Sequence, residues 1–325
     1  MQPGETQTAD QLSPITTPDV PVPPRVDRLK WVFRGPNGLR ALWRLAIFLG
    51  IVVGLRFGIS GILRVLHLVK PRAPITDLSV GTVFLQDGLG LLCVLGTTLI
   101  MGAFEKRPLA DYGLPVRSAF GIRFFEGIVW GFVAEAATTL VLFFTGNVTF
   151  QGFALTGAAA LRYALLWAAA FLLVGFFEEL LFRGYPQFTL ATGIGFWPAA
   201  LVLSGLFWLG HMQNPGETWV GGLSVALFAL AVCVSLRLTG SLWFAIGMHA
   251  AGDWCETYFF GVPDSGMPAK GHLLNTVFSG SKWMTGGTVG PEGSVVELVI
   301  VSAVIGLLFL RFRKREQARF TAPLS

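Results

Sequence analysis

Charge is scarce in this chain. Only 13% of its 325 residues are Asp, Glu, Lys or Arg, against 53% hydrophobic residues and a mean hydropathy of +0.63, which is more apolar surface than an ordinary soluble fold carries. The protein is therefore expected to reside in a membrane. Cysteine is scarce as well: Cys93, Cys233 and Cys255 stand singly with no CxxC pair, which excludes a disulfide framework or a structural zinc finger. No HExxH sequence occurs, so the ordinary zincin helix is missing. With no internal repeat and no heptad array, an inverted-repeat transporter has no support. Residues 1 to about 30 lack the apolar run of a signal peptide; rich in Pro, Thr, Gln and Asp, they read as a disordered tail, and no cleavage is expected. The formal net charge of +5 comes mainly from basic residues flanking apolar segments, where they set topology, so nucleic acid is not an expected partner.

What remains is long apolar runs, 40 glycines and 10 tryptophans, the composition of close-packed spanning helices with interfacial anchors. About eight stretches approach the roughly 20 apolar residues that a hydrocarbon slab requires. They run near 41–63, 78–104, 122–145, 158–182, 197–213, 217–237, 241–260 and 294–311, so the fold class is all-α, a polytopic membrane helix bundle. Arg25, Arg28, Lys30, Arg34, Arg40 and Arg44 precede the first span, and Arg311, Arg313, Lys314, Arg315 and Arg319 follow the last. Both termini are expected in the cytoplasm, and the even span count and the basic second loop with Lys106, Arg107 and Arg117 agree. The first loop, with Arg64, Lys70 and Arg72, runs mildly against the rule. The organisation read this way is a cytoplasmic tail over 1–35, helices one to three over 36–150, a helical core over 151–262, a partly irregular extracytoplasmic loop over 263–293, and a last helix with a basic tail over 294–325.

An ionisable side chain at mid-bilayer costs about 2.5–3.5 kcal/mol on insertion scales, so those inside the spans carry the information. Arg56, Asp87 and Glu135 form a first set, in which similar depth makes Arg56 and Asp87 an expected structural ion pair. The second set is denser. Span four ends with Glu178, Glu179 and Arg183; Glu179 and Arg183 share a helix face at i,i+4, while Glu178 is rotated about 100° away and left for other work. Phe207 and His211 end span five, and His249 and Asp253 lie at i,i+4 in span seven. His67 and His272, in loops or at span ends, read as solvated. If spans four and five form a hairpin around Gly193-Ile194-Gly195, with span four kinked near Pro186, Glu178 and His211 reach the same height.

Two chemistries fit these residues. In one, Glu178 takes a proton from a water held by His211, while His249 and Asp253 orient a peptide carbonyl or stabilise its oxyanion. In the other, His211, His249, Glu178 and Asp253 hold a catalytic zinc ion with an open position. Spacing alone does not separate them.

EExxxR at Glu178, Glu179 and Arg183, FxxxH at Phe207 and His211, and HxxxN/D at His249 and Asp253 occur in the order that marks the CPBP family, and the chain resembles that family over about 155–260. The family comprises the type II CAAX prenyl endopeptidases and bacteriocin-processing or self-immunity (Abi) proteins. The resemblance implies an eight-helix intramembrane protease opening to the cytosol, with Glu178 as base, His211 as its partner on the water, His249 and Asp253 on the oxyanion side, and Glu179 and Arg183 as support with Phe207. Members are labelled metalloproteases, yet an archaeal relative looks like a glutamate protease, so the resemblance leaves zinc open. Where the prenyl proteases usually carry Asn this chain has Asp253, frequent in bacterial relatives, so the resemblance leaves open whether the substrate is prenylated. The expected partners are the lipid bilayer and a membrane-associated protein or peptide substrate, in a bacterial cytoplasmic membrane. The alternative is a non-catalytic scaffold or bacteriocin self-immunity protein that keeps the polar cluster for stability or binding; a proton-coupled transporter has less support because most of spans six and eight is apolar.

Overall fold

The computed structural model describes residues 32–35, 38–67 and 77–312. The expected tails, residues 1–31 of the first and those past 312 of the second, lie outside the described residues. All eight apolar stretches are helical. They are α1 (Ala41–Val65), α2 (Val80–Glu105), α3 (Ile122–Phe144), α4 (Gly157–Arg183) continued by α5 (Tyr185–Ile194), α6 (Phe196–His211), α7 (Trp219–Thr239), α8 (Leu242–Asp253) and α9 (Val295–Phe312). Six spans, counting α4 with α5 as one, are long and apolar enough to cross a membrane. The 16-residue α6 reaches about 24 Å at 1.5 Å per residue, and α8 is prolonged by a π-helical stretch, Trp254–Phe260. Outward faces carry Leu92, Phe104, Phe144 and Val299, all exposed, as a lipid-facing surface should.

The break between α4 and α5 falls at Gly184, with Pro186 in the first turn of α5. The expected kink is thus a clean restart: a proline there forfeits no helical hydrogen bond, because the first N–H groups of a helix have no partner within it. The turn into α6 is made at Gly195, whose φ of +86° suits glycine.

Every residue from Leu242 to Ala251 is buried, so α8 is the central post, packed by α3, α4 and α7. Its closest neighbour is α3. A methyl group built on Gly127 or Gly131 of α3 would overlap the carbonyl oxygens of Phe244 or Met248, and one on Gly247 of α8 would overlap that of Phe124. The helices therefore touch backbone to backbone through a small-xxx-small stripe, and van der Waals contact replaces the hydrophobic effect that lipid cannot supply. Gly131→Ala is expected to cost about 1–3 kcal/mol by overpacking and Gly131→Leu to abolish the folded monomer, read as the thermal midpoint and monodispersity in detergent. Wild-type behaviour of both would refute this crossing.

The bundle has two distinct ends. At one, Arg44 forms a bidentate pair with Glu105 (2.9 and 2.7 Å), whose carboxylate also accepts from Tyr112 and Tyr185, and Leu242 N–H donates to Gly113 O at 2.7 Å. At the other, Leu78 N–H donates to Pro268 O and Ser279 N–H to Asn147 O. Here the loop expected to be partly irregular contains a strand, β2 (Leu274–Phe278), antiparallel to β1 (Val148–Phe153) with a bulge between Phe150 and Phe153. Two short strands 120 residues apart in sequence carry no periodicity long enough to recognise, so pairing was unreadable from either alone.

Candidate active site

A cavity of about 420 Å3 lies between α2, α3, α4, α6, α7, α8 and α9, and Glu178, His211, His249 and Asp253 all line it. His249 is its fixed point. On the buried stretch of α8, its Nδ1 stands 2.7 Å from Oε1 of Glu179, and its Nε2 stands 3.5 Å from Oε2 of Glu178 and 3.7 Å from Oδ2 of Asp253. A carboxylate only accepts, so Nδ1 carries the proton given to Glu179, and Nε2 is the nitrogen turned to Glu178, Asp253 and the cavity. Beneath, Glu179 and Arg183 are fully buried with Arg183 Nη1 3.5 Å from Glu179 Oε1, the i,i+4 pair expected from sequence. The contact of Glu179 with His249, 70 residues away, was not.

Phe207 joins the parts. Arg183 lies over its ring at 4.5 Å, and its ring centroid is 4.4 Å from that of His211 and 6.5 Å from that of His249. His211 closes α6, and its Nδ1 is 2.8 Å from the Phe207 carbonyl oxygen one turn back. A carbonyl oxygen has no hydrogen to give. Nδ1 must donate, which leaves Nε2 of a neutral His211 as an acceptor for water.

The first polar set is arranged differently from the expectation. Arg56 donates from Nη1 to the Gln86 carbonyl at 2.8 Å and lies over the Phe177 ring at 6.0 Å, instead of meeting Asp87. Asp87 and Glu135 both line the cavity. Equal depth on two helices fixes height and leaves rotation free, so Arg56 and Asp87 act on each other as charges without a direct ion pair. Sequence reasoning also passed over Glu256, Asp264, Glu292 and Glu297, four further acids in the cavity wall. Burial, followed by the nearby Asp253 and Glu292 carboxylates, pushes the Asp264 carboxyl well above the usual carboxylate range. Of the two histidines read as solvated, His67 is exposed, while His272 is half-buried with Nδ1 2.9 Å from Ala269 O.

The cavity has a closed and an open side. Glu179, Arg183 and Gln187, all at 0% exposure, lie toward the Arg44–Glu105 end, while the cavity wall toward the strand-bearing end includes Asn214, Asp264, Ser265 and Glu292 from loops. The loops that wall the cavity lie at the end opposite the start of α1 and the end of α9, which sets the expected cytosolic termini against the cytosolic mouth implied by the family resemblance.

For a zinc ion the decisive observation is donor spacing. Among the described residues, the one trio of ligand side chains with donor atoms within 4.8 Å of one another is Glu256, Asp264 and Glu292, not a set containing the two histidines. Both histidines give Nδ1–H to an oxygen and keep Nε2 open, an orientation that zinc-bound histidines also adopt, so the spacing of the donors decides the fit. As arranged, the donor atoms of His211, His249, Glu178 and Asp253 are spread too widely for three of them to share one zinc ion without side-chain movement.

No curated protein matches the chain. The resemblance to the CPBP family, in contrast, is met directly: residues 160–255, which carry Glu178, Glu179, Arg183, Phe207, His211, His249 and Asp253, match the family model of the type II CAAX prenyl endopeptidase Rce1-like proteins.

Proposed function

We propose that the protein is an intramembrane endopeptidase that hydrolyses a peptide bond of a membrane-associated protein or peptide with a water activated by Glu178. The observation that carries this reading is the shared cavity in which the Glu178 carboxylate, 22% exposed, stands against Nε2 of His249 while His211 offers a free acceptor nitrogen. Water bound between Glu178 and His211 loses one proton to Glu178 and keeps the other in a hydrogen bond donated to His211 Nε2, which turns an oxygen lone pair to the substrate carbonyl. His249, held by Glu179 through Nδ1–H and flanked at Nε2 by Glu178 and Asp253, is the imidazolium in this scheme, so that Nε2–H donates to the developing oxyanion. The proton taken by Glu178 then passes to the leaving amine.

Sidedness follows from charge. The end bearing Arg44 and Glu105 also holds Arg40, Lys106, Arg107, Arg117, Arg123, Arg237 and Arg311, while Arg64, Arg162, Lys270 and Lys282 are the described bases of the other. The positive-inside bias puts the first end and both termini in the cytoplasm, so the site opens to the extracytoplasmic half of the membrane. A substrate reaching it is an outer juxtamembrane or exported segment, and not a cytosolic CaaX terminus. Lys282 is exposed near the mouth, and a cysteine placed there (Lys282→Cys) is expected to react with a membrane-impermeant maleimide on intact cells. Reaction only after permeabilisation would invert the topology.

The function itself is tested by incubating the purified protein with a membrane-peptide library, with and without chelator, and sequencing the products. Discrete cleavage that persists in chelator is expected. Intact peptides throughout would refute protease activity.

A further inference from the structure

Glu256, Asp264 and Glu292 come from three separate elements, the π-helical stretch after α8, the loop beyond it and the turn before α9, and lie outside the matched segment 160–255. One carboxylate oxygen from each lies within 4.8 Å of the others. Two oxygens on one calcium ion, each about 2.3–2.6 Å from it, are at most about 5 Å apart, so the trio has the spacing of a shared ion. Glu256 supplies the independent sign of a missing partner. It is only 2% exposed, and its Oε1 is buried without any hydrogen bond. Among the described residues no Lys or Arg forms an ion pair with any of the three, and two more acids, Glu135 and Glu297, line the same cavity. An orphaned carboxylate oxygen among other carboxylates is relieved by a proton or by a bound cation, since no neighbouring side chain supplies a positive charge, and three converging oxygens suit a cation.

The other two ligands are held in place. Glu292 Oε2 accepts from Ser265 N–H at 2.9 Å and Ser265 Oγ–H at 2.8 Å, and Asp264 Oδ2 accepts from Thr257 Oγ1–H at 3.3 Å. Each retains a second oxygen. The donor set is all oxygen, with no imidazole or thiolate, which selects a hard cation over zinc or copper. We propose that Glu256, Asp264 and Glu292 bind one divalent cation of the calcium class, which fastens the 261–293 loop to the end of α8 at the mouth of the cavity. Waters from the cavity complete its coordination.

The test uses the full purified chain in detergent, stripped with chelator and titrated with CaCl2, with MgCl2 and ionic-strength-matched NaCl as controls. Equilibrium dialysis is expected to find one Ca2+ per chain, accompanied by a saturable rise of a few degrees in the thermal midpoint and slower proteolysis of the 261–293 loop. Glu256→Gln removes all three responses, and Asp264→Asn serves if the first variant does not fold. Glu178→Gln, which leaves the trio intact, keeps them. Absence of stoichiometric Ca2+ binding to the wild type overturns the proposal, as does undiminished binding by Glu256→Gln or an equal shift with NaCl. None of these readouts depends on peptide hydrolysis.

Discussion

Glu178→Gln lowers kcat for peptide cleavage by about 10²–10⁴-fold, the usual contribution of a positioned general base, while the protein stays folded. Both halves of that expectation come from geometry. Gln keeps the shape of Glu and an acceptor oxygen near His249 Nε2, a contact that is already long at 3.5 Å, and position 178 is partly exposed to the cavity, so little packing is disturbed. What the amide cannot do is take a proton from water. Because the loss concerns a group acting in the transition state, kcat falls more than KM changes. Single-turnover kinetics on a peptide from the library, together with the thermal midpoint, measure the two halves separately. A non-catalytic scaffold or immunity protein would instead keep its phenotype with glutamine at 178, and an unchanged phenotype would favour that reading.

Glu179→Ala has the second largest effect, and it falls on stability. Arg183 is fully buried; its Nε and one Nη form no hydrogen bond, and its counter-charge is the Glu179 carboxylate. Removing one member of a buried pair leaves an unpaired charge in apolar surroundings, which costs about 3–5 kcal/mol. The same change strips His249 Nδ1 of its acceptor, so any folded fraction has a ring free to rotate. Glu179→Gln separates the two consequences: its amide oxygen still accepts from Nδ1–H, but it cannot neutralise Arg183. The expected order of thermal midpoints is wild type, then Gln, then Ala. If alanine matches the wild type, Arg183 is balanced by something other than Glu179.

Positions 178, 179, 183, 207, 211, 249 and 253 could be read from sequence because their arrangement is local. Glu179 with Arg183, Phe207 with His211 and His249 with Asp253 are each one helical turn apart, and that spacing alone puts each pair on one face. The eight helices were readable for the same reason, since runs of apolar residues of spanning length need no partner to be recognised. The rest depends on rotation and distant contact. Hydropathy fixed the depths of Arg56 and Asp87 but not which way each side chain turns, and Arg56 reaches the Gln86 carbonyl instead. Glu179 meets His249 only because α4 packs on α8. Glu256, Asp264 and Glu292 belong to no short motif and converge only when the 261–293 loop folds back over the bundle. The side on which the cavity opens was likewise hidden, since it depends on which loops wall it.

The central claim, that Glu178 activates a water inside the membrane, is tested most directly by single-turnover cleavage in H2 18O. One 18O atom in the new C-terminal carboxylate of the product, with none in the Glu178 side chain, is the predicted result. Label in the Glu178 carboxyl group would mean covalent attack by the glutamate, and a product formed without label would mean that water is not the nucleophile; either would contradict it.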